Sequence, residues 1–73
     1  MTKIETAEAA RNTILNRIKF AGRDEVLGAI VQYNNTTEND IGEDGGIWVS
    51  SPQTGHWLND DHIVEFANFL NAS

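Results

Sequence analysis

The stretch RDEVLGAIVQYNN, Arg23 to Asn35, decides which fold this chain can adopt, because it supports two secondary structures. As a helix capped by Asp24, it gathers Val26, Leu27, Ala29, Ile30, Val31 and Tyr33 into one wide arc, with Glu25, Gly28 and Gln32 opposite. As a strand it lacks alternation and would need both faces buried, although Ile30 to Tyr33 has good strand propensity. Gly28 weakens either interior. The helix over 24–33 is the preferred reading, and the strand stays open as the alternative.

Downstream, residues 34–46 (NNTTENDIGEDGG) hold a single apolar side chain, Ile41, and read as an acidic polar loop. Residues 45–59 (GGIWVSSPQTGHWLN) read as a β-hairpin: Ile47 to Ser51, a turn over Pro52 to Gly55, and a short return from His56 to Leu58. A loop of two or four residues sets Trp48 and Trp57 diagonally on one face and Ile47, Val49 and Leu58 on the other. A three-residue loop with a bulge would separate the two indoles. Whether the tryptophans face the core or solvent is left open: small domains need large aromatics inside, and exposed tryptophan is a frequent binding anchor. The final segment, NDDHIVEFANFLNAS, predicts a helix capped by Asn59 or Asp60. Its apolar stripe is Ile63, Phe66, Ala67 and Leu70, flanked by Val64 and Phe69, with Asp61, Glu65 and Asn68 on the outer face. No basic residue stands at its C-terminal end to complement the helix dipole.

Upstream, Ala7, Ala10, Ile14, Ile18 and Ala21 recur at steps of three and four and predict a helix from about residue 4 to 20. Thr2 and Glu5 match a capping box, Arg17 and Lys19 fall in the last turn, and Gly22 stands where a C-terminal cap is wanted. The order helix, helix (or strand), polar loop, hairpin, helix gives a small α+β fold, one domain over 1–73.

Charge is divided along the chain. The formal net charge is −6, and all five basic residues lie in the first 23 positions. From Asp24 onward there are nine carboxylates and no Lys or Arg, where typical usage would place about six basic residues in 50. The two parts sum to +3 and −9. With no cysteine there is neither a disulfide framework nor a thiolate site. The start MTKIETAEAARN holds no signal-like apolar run, so a cytoplasmic protein is expected, in the host cytoplasm if phage-encoded.

Motifs for chemistry are thin, and no catalysis, cofactor or metal is expected. A calcium loop starting at Asp40 would place Gly42, Asp44 and Gly45 third, fifth and sixth, but Ser51 stands where the bidentate Glu is required. His56, Asp60, Asp61 and His62 match no usual zinc spacing. Ser50 and Ser51 near His56 lack an elbow or a third orienting group. The acidic GEDGG run would repel phosphate, and the downstream acids oppose a nucleic-acid backbone.

The charge layout points instead to a small inhibitor that occupies a basic surface of a larger protein, surfaces that normally hold nucleic acid included. The contact residues expected are Glu38, Asp40, Glu43 and Asp44 in the loop and Asp60, Asp61 and Glu65 at the last helix, with Trp48 and Trp57 as apolar anchors. In size and charge the chain resembles the small acidic inhibitors made by phages, among them anti-CRISPR and other nucleic-acid-mimic proteins. This is a likeness of class that assigns no residue. The alternatives are a homo-oligomeric interaction module, a homodimer among its forms, and a small metal-binding protein using the histidines.

Overall fold

The computed structural model of the chain describes residues 3–35, 38–50 and 54–72. Three helices, α1 (Ala7–Ala21), α2 (Arg23–Asn34) and α3 (Asp60–Ala72), accompany three strands, β1 (Asn39–Ile41), β2 (Ile47–Ser50) and β3 (Gly55–Trp57). The chain is an α+β fold in the order α1-α2-β1-β2-β3-α3, with an antiparallel sheet ordered β1-β2-β3. Ile41, Ile47 and Val49 join Ile14, Ile30 and Phe66 in one core cluster, so the sheet presents that face to the helices.

The segment 23–35 is helical. Val26 and Ile30 are buried, while Leu27, Ala29 and Tyr33 pack at the margin of the core. Val31 is exposed, so the apolar arc is narrower than the sequence suggested. Asp24 lies in the first turn and is not the cap. Gly22 takes that position, and its φ of 96° also lets its N–H close α1 on the Ile18 carbonyl (2.9 Å). The two helices therefore share one residue as their boundary.

The first helix begins later than expected. Thr6 is the cap, its hydroxyl accepting the Ala9 N–H (3.1 Å), and Thr2 lies outside the described residues. Ile4 is not helical. Its side chain is buried, and its backbone is clasped by Asn68 of α3, which accepts the Ile4 N–H (3.0 Å) and donates Nδ2 to the Ile4 carbonyl (3.0 Å). Asn68 therefore does not sit on a solvent face, as the helical pattern implied. It replaces a neighbouring strand for a segment that has none, joining residues 64 positions apart.

Asn59 caps α3 by accepting the His62 N–H (2.9 Å). Ile63, Phe66, Ala67 and Leu70 are buried as the stripe requires. The C-terminal end of α3 does receive a cation, from another helix: Arg17 of α1 donates to the Leu70 carbonyl (3.1 Å). Tyr33 closes the α2–α3 contact edge-on to Phe66, with ring centroids 5.5 Å apart, and tilted on Phe69 at 5.5 Å.

The stretch read as a loop contains β1, which pairs with β2 through Asn39↔Val49, Asp40↔Trp48 and Ile41↔Ile47. The outward edge of β1 is closed by side chains. The Ile41 N–H donates to Asp40 (2.8 Å), and Arg23 from the start of α2 donates to the Ile41 carbonyl (3.3 Å) and pairs with Asp40. On the other side of β2, the register is Trp48↔Trp57, Val49↔His56 and Ser50↔Gly55. The two tryptophans are thus directly opposed, not diagonal. The connection runs over 51–54, one position earlier than the expected turn, and Ser51, Pro52 and Gln53 fall outside the described residues. Leu58 donates to the Ile47 carbonyl (2.8 Å), so Trp48 and Trp57 occupy a non-hydrogen-bonded site, where side chains approach most closely.

The turn from β1 to β2 lies directly on α1. Gly42 donates to the Gly46 carbonyl (2.8 Å), Gly45 to the Gly42 carbonyl (3.0 Å), and Gly46 to the Asp44 carboxylate (2.9 Å). Gly45 is buried at φ 88°, and a Cβ there would overlap the Arg11 carbonyl oxygen and approach its Cα to 3.1 Å. Both the φ and the missing side chain are required. Gly45→Ala should therefore cost about 2–4 kcal/mol, summing positive-φ strain and a forced backbone shift. A urea titration would show the loss as a lower midpoint. Asn68→Ala should cost about 2–3 kcal/mol, because two part-buried Ile4 backbone groups lose their partner. An unchanged urea midpoint would contradict the clasp.

Candidate protein-binding surface

Strand alternation places Glu38 and Asp40 with Trp48 and Trp57 on the sheet face turned away from the helices, since Ile41, Ile47 and Val49 take the inner face. The tryptophan question left open by the sequence is therefore settled outward: Trp57 is 56% exposed and Trp48 is half-buried. Each indole leans on glycine, Trp48 on one in β3 and Trp57 on two in the β1–β2 turn. Trp48 crosses to Gly55, where a Cβ would collide with its ring. Trp57 crosses back over the β1–β2 turn, with Cζ3 3.2 Å from the place of a Gly42 Cβ and Cε3 3.6 Å from that of Gly46. The glycines of this stretch thus support aromatic rings as well as turns, a role that composition alone does not reveal.

The seven carboxylates singled out from the sequence are all exposed, but they are not equivalent. Asp40 is matched by Arg23, and Asp60 lies 3.7 Å from Arg11. Asp44 holds the Gly46 N–H, and Glu65 accepts the Tyr33 hydroxyl (3.1 Å). Among the described residues, the carboxylates of Glu38, Glu43 and Asp61 enter no ion pair or hydrogen bond. The fold brings Asp40, Asp44, Trp48 and Trp57 to one sheet face, with Glu43 in the same turn as Asp44. Glu65 lies apart from this group, against Tyr33. Arg11 stands where the turn and the start of α3 meet, its carbonyl against Gly45 and its guanidinium near Asp60.

The histidines and the nearby acids do not converge. His56 is in β3 and His62 in α3, both exposed, and among the described residues no three His, Asp or Glu side chains could hold a metal ion. His56 is paired with Val49, and Ser50 with Gly55. No described helix is long and apolar enough to cross a membrane. Phe20, near the end of α1, is 92% exposed and escaped the sequence reading because it lies off the buried stripe. Comparison with protein-family models, curated proteins and solved structures gives no match to this chain.

The Tyr33 phenol has its pKa pushed up to about 12, first by burial, then by the hydrogen bond to Glu65 and the repulsion of that carboxylate. The folded protein keeps a proton that the unfolded chain releases near pH 10. The contribution is therefore fully present below pH 10 and lost as pH rises through about 12. Stability measured by urea titration should fall over that window, and Tyr33→Phe should flatten this part of the profile. An equally steep fall in the variant would assign the pH dependence elsewhere.

Proposed function

We propose that this chain is a small acidic binding protein that occupies a basic surface of a larger protein and performs no chemistry itself. The observation that carries the proposal is the disposition of the arginines. Arg11 faces Asp60, Arg17 is bound to the end of α3, and Arg23 closes the β1 edge. Two of these pairs use one carboxylate each, which leaves Lys3 and Lys19 against the exposed, unpaired Glu38, Glu43 and Asp61 within a net charge of −6. Such a surface favours association with grooves lined by Lys and Arg, including those that otherwise hold nucleic acid. The sheet face adds an exposed indole, the kind of anchor that concentrates binding energy. The reading agrees with the class likeness to small acidic phage inhibitors. Self-association through the tryptophan face is the second reading, favoured by the exposure of Trp57 and opposed by the net charge of −6 on each copy.

The test is capture of partners with tagged protein from the lysate of its host, at low and then high salt. A basic protein released by salt is the expected result, because screening weakens exposed charge pairs. The triple variant Glu38→Gln, Glu43→Gln, Asp61→Asn should weaken that association about tenfold at low salt while leaving the unfolding midpoint unchanged. Affinity indifferent to both salt and the substitutions would rule the proposal out.

A further inference from the structure

We propose that Trp57 and Asp44 together receive a single arginine side chain of the partner, its guanidinium against the indole and an N–H edge turned to the carboxylate. This rests on the acidic-surface reading above and names the side chain it recognises. The indole is seated from beneath: Cζ3 and Cη2 lie 3.2 and 3.3 Å from the place of a Gly42 Cβ. With 56% of the residue exposed, much of the ring remains open to solvent. The Asp44 carboxylate oxygen lies 3.1 Å from the Cβ positions of both Gly42 and Gly46, the two glycines on which the ring leans. That oxygen is fixed by the Gly46 N–H at 2.9 Å, so the acid is positioned before any ligand arrives. An aromatic ring with a fixed anion at its margin suits a cation that is planar, weakly hydrated and able to donate sideways.

A lysine ammonium is compact and strongly hydrated, and matches the site less well. A nucleic-acid base could stack on the ring, but its phosphates would meet Asp40, Asp44 and Glu38 on the same face. A second copy of this chain is a poor source, because each copy carries a net charge of −6 and each of Arg11, Arg17 and Arg23 already has a partner within the fold. The occupant is therefore an arginine on a different protein.

The experiment uses the full chain carrying Trp48→Phe, so that Trp57 is the sole indole reporter. It is titrated with nona-arginine and with nona-lysine at low salt, with affinity read by calorimetry and Trp57 by its emission. Expected are a change in Trp57 emission with the arginine peptide and an affinity at least threefold above that of the lysine peptide. Asp44→Asn keeps the oxygen that accepts the Gly46 N–H, so the turn is retained, and it should remove that preference. Equal binding of both peptides with Trp57 unmoved would overturn the arginine site and leave the acidic-surface reading standing. Binding of neither peptide would overturn both. An unaltered preference in Asp44→Asn would overturn the assignment of Asp44.

Discussion

The backbone of Gly45 meets the backbone of Arg11 with no side chain between them, and that contact seats the β1–β2 turn on α1, as β1 packs on α2. Polar turns ordinarily stay in water because their backbone groups need partners. Here the turn bonds its own groups, through Gly42, Gly46 and the Asp44 carboxylate, and can therefore lie on a helix. The acids beside it are consequently held at set positions on a strand-turn-strand unit. A stretch with the composition of a connector becomes a frame for side chains.

The arginines show how a chain with few cations distributes them. Each serves a group that the local sequence leaves unsatisfied: a helix C-terminus for Arg17, a strand edge for Arg23, and a carboxylate at the first turn of α3 for Arg11. All three come from the first 23 residues and act on elements formed later in the chain. The split between a basic start and an acidic remainder is thus partly an internal complement. The pairs at Arg11 and Arg23 are exposed and contribute little stability individually. Each also cancels one carboxylate, so the acids left to act outward are the unpaired ones.

Much of this architecture was legible from periodicity. The stripes of α1 and α3, the helical preference of residues 24–33 and the strand Ile47 to Ser50 all rest on local spacing, and the core follows it. What was illegible depends on distant partners. Strand β1 has one apolar residue in three, and Asn and Asp are poor strand formers, so only its pairing with β2 makes it a strand. Thr2 and Glu5 fit a capping rule, yet Ile4 is drawn into the core and held by Asn68, which no window of a few residues can show. At the candidate surface, the acids were visible as composition, but which of them stay unpaired was decided by Arg11, Arg23 and Tyr33. The outward direction of the tryptophans followed from the choice of inner face. Their direct opposition followed from a connection one position removed from the expected turn.

The sealed edge of β1 also limits what the sheet can build. Fibrous growth by strand addition needs two acceptor edges, one to receive a molecule and one to offer to the next. Asp40 and Arg23 occupy the backbone groups of Ile41 that an incoming strand would use. Among the described strands, β3, whose three residues are all exposed, is the other outer edge of the sheet. Pairing through β3 on two copies would leave β1, with its Ile41 groups occupied, at both outer edges. At Ile41 the strand edge is thus guarded by two side chains, without a proline or a lysine in the strand.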